Sequence, residues 1–126
     1  MIVPGAVLEL NASYVYGGQP GLNSPLTTLW SDLSGSANDA TLVGFAGNSK
    51  SGWGGSGSKI DPSCCVFDGL YDYITVPELN LCSNGSFSYE VVFCLDNLPL
   101  VSIPGTLFSE SANGIEYSSL AITETL

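Results

Sequence analysis

Ten consecutive residues constrain this chain most. Ser86-Phe87-Ser88-Tyr89-Glu90-Val91-Val92-Phe93-Cys94-Leu95 puts Phe87, Tyr89, Val91, Phe93 and Leu95 on one face of an extended chain. Ser88, Glu90, Val92 and Cys94 fall on the other, because side chains alternate along a strand. A period of two over this length predicts a half-buried β-strand. Phe67 and the apolar row from Phe87 to Phe93 are therefore the expected core.

The rest of the chain repeats the signal in shorter pieces. Strands are expected at residues 6–10, 40–43, 64–67 and 73–76, with a short ordered piece over 29–35 that ends in a turn. Thr106-Leu107-Phe108-Ser109 and residues 115–122 flank Asn113-Gly114, a strong hairpin signal. Fifteen glycines and seven prolines punctuate the chain at short intervals. No stretch has helical periodicity. Strand after strand with turn residues between predicts an all-β antiparallel sandwich or barrel. At 126 residues the chain is read as one domain, 1–126. Residues 48–58, rich in Gly and Ser, read either as a plain connector or as a flexible contact loop carrying Trp53.

Charge excludes partners. Twelve carboxylates face only Lys50 and Lys59, with no Arg or His, for a net charge of −10. Phosphate backbones and anionic membranes would repel such a surface, so nucleic acid and membrane are excluded as partners. A bound cation or a basic partner surface suits it. No apolar run is long enough to span a bilayer. Met1-Ile2-Val3-Pro4-Gly5 lacks the basic region and apolar core of a signal peptide, so synthesis in the cytoplasm is expected.

Cys64, Cys65, Cys82 and Cys94 are the disulfide candidates. Neighbours in a strand, Cys64 and Cys65 point to opposite faces, and there is no CxxC pair or His, which argues against a zinc site. Either the thiols stay reduced as small apolar residues, or one or two bridges form. The reading leans to at least one bridge, of open connectivity.

Catalysis finds no support in the residues. Without His, neither a Ser-His-Asp nor a Cys-His arrangement exists. The long strand offers Glu90 alone, with Asp96 six residues on, and not the two carboxylates facing one cleft that glycoside hydrolysis needs. The chain is read as non-enzymatic.

Four segments carry a resemblance. Trp30-Ser31-Asp32-Leu33-Ser34-Gly35-Ser36-Ala37-Asn38-Asp39-Ala40-Thr41-Leu42 resembles the W-x-D-L-S-G-x-G-N-D/N-G/A-T-L segment of laminin G-like domains, which belong to the concanavalin A-like lectin and glucanase jelly rolls. Val66-Phe67-Asp68-Gly69-Leu70-Tyr71-Asp72-Tyr73-Ile74 is similar to their F-D-G-x-x-D-Y-V segment. Residues 86–93 sit where that family has an aromatic strand, and Val7-Leu8-Glu9-Leu10-Asn11-Ala12 resembles the opening of its phage and bacterial versions. Ala37 stands where the family has Gly, Asn11 where it has Asp, and Tyr71 where it has an acidic or polar residue. The family's later strands have no counterpart after residue 122, so a compact jelly roll is expected, or one completed by an oligomer or a partner. The strand at 115–122 is then at risk of being an open edge.

The resemblance implies a β-sandwich jelly roll and two functions. One is a structural or decoration protein on the head or tail of a tailed bacteriophage, displayed on the virion surface and held by a capsid or tail protein. The other is a glycan-binding module, for which the loop aromatics Tyr14, Tyr16, Trp53 and Tyr71 are the candidate platform. Asp32, Asn38 and Asp68 read first as turn-stabilising acceptors. The resemblance also allows Ca²⁺ held by Asp32, Asp39, Asp68 and Asp72, converging from two loops.

Overall fold

The computed structural model describes residues 4–14, 27–81, 86–95, 105–112 and 115–122, and all its regular ladders are antiparallel β-structure. No α-helix occurs among the described residues. The strands are β1 (Leu29–Trp30), β2 (Ala40–Val43), β3 (Gly52–Gly54), β4 (Cys64–Val66), β5 (Tyr73–Thr75), β6 (Gly105–Ala112) and β7 (Ile115–Ile122). The protein is all-β. It divides into two compact units, Met1–Leu79 and Asn80–Leu126.

In the first unit, β2 is the central strand of a three-stranded sheet ordered β1-β2-β5. Trp30 pairs with Ala40, and Leu42 with Ile74. Alternation puts Ala40 and Leu42 on one face, and both are buried. The hairpin β3-β4 supplies the third core residue, Trp53, which is 7% exposed and pairs with Cys65. Trp30, Phe45, Cys65 and Ile74 pack around Leu42 and Trp53. The Trp30 and Trp53 rings meet edge to face with centroids 4.9 Å apart, a favoured aromatic geometry.

This corrects the reading of residues 48–58 as a flexible contact loop. Trp53 lies in a strand, its ring is buried, and its Nε1–H donates to the Thr27 carbonyl at 2.8 Å. Gly/Ser composition signals a loop when nothing long-range competes. Here the glycines on either side of Trp53 let the backbone approach its neighbours while the indole supplies the burial.

Residues 6–10 also depart from expectation, for they form no strand. Their backbone bonds go elsewhere. The Glu9 N–H donates to Asp32 Oδ1 at 2.8 Å, the Glu9 carbonyl accepts from Leu33 at 2.9 Å, and the Val7 carbonyl accepts from Asn38 Nδ2 at 2.7 Å. Side chains take the place of a ladder.

The second unit contains the expected hairpin. β6 and β7 pair from Gly105↔Ile122 to Ala112↔Ile115, with register shifts between Thr106 and Phe108 and between Glu110 and Ser111. Asn113 and Gly114, the turn predicted between them, lie outside the described residues.

The strand that looked best in the sequence is the main correction. Residues 86–95 join no ladder, and every one of them is exposed. Phe87, Tyr89, Val91, Phe93 and Leu95 are 38–50% exposed, against 91% for Val92 on the opposite side. The two-faced pattern therefore survives, with one side more covered than the other, but it does not form the core. Phe67, also expected in the core, is 49% exposed and meets Phe45 only edge-on, with centroids 5.2 Å apart. Alternation fixes which side chains share a face; it does not supply the strand they must pair with.

Candidate functional site

Two carboxylate-centred loops and one bare strand hold the residues singled out by the sequence. The first loop is built on Asp32. Its Oδ1 accepts the N–H groups of Glu9 and Ser34 at 2.8 and 2.9 Å. Its Oδ2 accepts the Ser34 hydroxyl at 2.8 Å and the Asn38 N–H at 3.0 Å. Asp39 Oδ1 accepts the N–H of Asp32 itself at 2.9 Å. One side chain thus gathers three backbone segments, as short polar residues beside turns are suited to do. Partial burial pushes the Asp32 carboxyl up, and the hydrogen bonds from Glu9, Ser34 and Asn38 outweigh it, so its pKa lies below the ordinary aspartate value. Ala37 in this loop has φ +59°. That is the left-handed region glycine favours, so an Ala here is strained.

The second loop is built on Asp68 and Asp72. Asp68 Oδ1 accepts from Leu70 N at 2.7 Å and Tyr71 N at 3.1 Å, while Asp72 Oδ2 accepts from Asp68 N at 2.8 Å. The bond from Leu70 is the main cause of a lowered Asp68 pKa. The loop also lies close against Gly44, where a β-carbon would collide with the Tyr71 carbonyl oxygen. Held in this way, Leu70 and Tyr71 stand 77% and 78% exposed.

The four aspartates proposed for Ca²⁺ therefore fall into two pairs. Each of the four accepts at least one backbone N–H. Among the described residues no group of three or more His, Cys, Asp or Glu side chains gathers to hold a metal ion. Of the three described aromatics proposed as a platform, Tyr71 alone is strongly exposed. Trp53 is core, Tyr14 is half-buried with its N–H on the Asn11 carbonyl at 2.8 Å, and Tyr16 lies outside the described residues.

Cys64, Cys65 and Cys94 are free thiols, and Cys82 lies outside the described residues. Burial pushes the Cys65 thiol up to about 12, with Cys64 and Asp72 adding to it. Desolvation of its sulfur and the nearby Asp61 raise Cys64 as well. Neither is activated as a nucleophile.

The bare strand is the feature that sequence reasoning missed. Residues 86–95 make no backbone hydrogen bond to another described residue. Its ring contacts are Phe87 with Tyr89, centroids 6.1 Å apart, and Tyr89 with Phe108 of β6, 5.2 Å apart. No sequence signal marks the lack of a pairing strand. No protein-family model matches the chain, nor does any curated protein or solved structure.

Proposed function

We propose that this chain is a non-enzymatic structural protein of a virion, a decoration element on the head or tail surface of a tailed bacteriophage. It acts by protein–protein contact and is built on a laminin G-like jelly roll. The observation that carries the reading is the bare strand. A ten-residue segment with an apolar row, whose backbone groups bond to no other described residue, is suited to holding on to another surface. The acidic balance of −10 favours a basic site on the capsid or tail protein that receives it. The Asp32 and Asp68 loops add support, since in each the motif carboxylates hold the backbone in shape.

The test is the particle. Purified virions should contain the chain in fixed ratio to the major capsid or tail protein, on the outer surface and open to antibody. A chain found in the lysate but absent from washed particles overturns the reading.

A second reading has one observation in its favour. Tyr71 stands exposed beside Leu70 on a loop whose shape is fixed before any ligand arrives, as a sugar platform requires. A glycan array separates the two. Binding abolished by Tyr71→Ala makes the chain lectin-like, and no binding leaves protein contact as its role.

A further inference from the structure

We propose that residues 86–95 pair with the same residues of a second copy, antiparallel and centred on Val91, to make a two-fold symmetric dimer. The inference rests on the contact reading above and names the partner for that strand.

The backbone states the first requirement. Residues 86–95 alternate apolar and polar side chains, and their N–H and C=O groups make no hydrogen bond to another described residue. A flat apolar surface could cover the side chains but could not satisfy those groups. An added strand does both.

The side chains then choose the strand. Pairing that keeps the apolar row on one face leaves few registers. Antiparallel pairing centred on Glu90 puts two Glu90 carboxylates opposite each other, and parallel in-register pairing stacks them side by side. Like charges facing across a ladder destabilise it. Centring on Val92 puts Phe87 opposite the polar Asn97 and not opposite an apolar residue. Centring on Val91 pairs Phe87 with Leu95, Tyr89 with Phe93 and Val91 with Val91 on one face. On the other face it pairs Ser88 with Cys94 and Glu90 with Val92. Every apolar residue of the row finds an apolar partner, and Glu90, the one charge of the segment, faces an uncharged side chain. The segment is complementary to itself, as a two-fold interface demands.

Charge gives this pairing a signature that separates it from any basic partner. Two copies of a chain with net charge −10 repel at long range. Salt screens that repulsion. Self-association therefore tightens as salt rises, whereas docking on a basic surface weakens.

Sedimentation of the full chain at micromolar concentration reads the outcome. The expected mass is twice the 13.1 kDa of one chain, with a larger dimer fraction at higher salt. Val91→Pro, which removes a central ladder N–H and stiffens the strand, should halve the apparent mass. Should that variant fail to fold, Ser88→Cys gives the register directly. Under mild oxidant it should trap a covalent dimer through the native Cys94 of the other copy, while Glu90→Cys should not. A wild-type chain that stays monomeric overturns the proposal, as does a dimer indifferent to Val91→Pro or one trapped by Glu90→Cys instead. None of these results touches the count of the chain on purified particles, so the contact reading stands or falls separately.

Discussion

The two units reach order by different means. In the first, strands of two to four residues are too short to hold much by ladder bonds. Side-chain acceptors do the joining instead: Asp32 and Asp39 in one loop, Asp68 and Asp72 in another, and the buried Ser51, whose hydroxyl oxygen accepts the Ala46 N–H at 2.8 Å. Its core is small, with Leu42 and Trp53 at the centre. In the second unit two eight-residue strands form one ladder with two register shifts, and before them in the sequence lies a ten-residue patterned segment, 86–95, that joins no ladder. The short strands are held in place by specific polar side chains; the long, strongly patterned segment has no pairing strand among the described residues. Apolar patterning therefore measures a need for burial, and polar side chains at turns measure how closely a shape is specified.

The largest effect that tests this contrast is Trp53→Ala. It should destabilise the first unit by about 3–5 kcal/mol, the range for large aromatic truncations in a core. Amide exchange should show the loss around β2 to β5, with the β6–β7 amides keeping their protection. A uniform loss across both units would break the contrast.

Asp32→Ala comes next. It leaves the donors of Glu9, Ser34 and Asn38 without their charged acceptor. Bonds to charged groups contribute about 1.5–3 kcal/mol each when buried, and because this loop is partly open to water we expect about 2 kcal/mol in all by chemical denaturation. The same carboxylate gives the first unit an acid limit. Its folded pKa lies below the ordinary aspartate value of 3.8. The stability it contributes is therefore fully present above that value and is lost as pH falls through the folded pKa. Asp68 acts in the same direction. Acid titration followed by Trp fluorescence should show the first unit loosening below about pH 4, with the step reduced in Asp32→Asn.

Phe93→Ala tests the other side of the comparison. A core Phe in the long strand would cost several kcal/mol, but at 50% exposure the expected loss is about 1 kcal/mol. A loss above about 3 kcal/mol would mean that this row is buried after all. The smallest effect has the opposite sign. Ala37→Gly should stabilise by about 0.5–1 kcal/mol, because it relieves a left-handed Ala at some cost in chain entropy. No gain in melting temperature would mean that the loop is already relaxed around Ala37.

Much of the fold was legible where local chemistry decides it. The segments Ala40–Val43, Cys64–Val66 and Tyr73–Thr75 lie within stretches whose β-branched residues, aromatics and turn residues announced strands, and the Asn113-Gly114 signal located the β6–β7 hairpin. The turn-stabilising role read for Asp32 and Asp68 is the one their oxygens play. What failed was long-range. Trp53, set among glycines and serines, looked like loop, because nothing nearby in sequence shows that Trp30 and the Thr27 carbonyl await it. Residues 6–10 looked like a strand, because a short apolar run does not reveal that its bonds will go to Asp32 and Asn38. The row at 86–95 looked like core, because a pattern of faces is silent about what lies across from them.

The pairing of Trp53 with Cys65 makes the first unit its own reporter. A thiol held at about 12 is almost wholly protonated at neutral pH and slow toward alkylating reagents, whereas Cys64, its neighbour on the opposite face, stands exposed. When β3 and β4 part, Cys65 returns to an ordinary thiol pKa and its labelling rate rises with the open fraction. The ratio of label at two adjacent residues then counts the openings of a single hairpin, with no probe added to the chain.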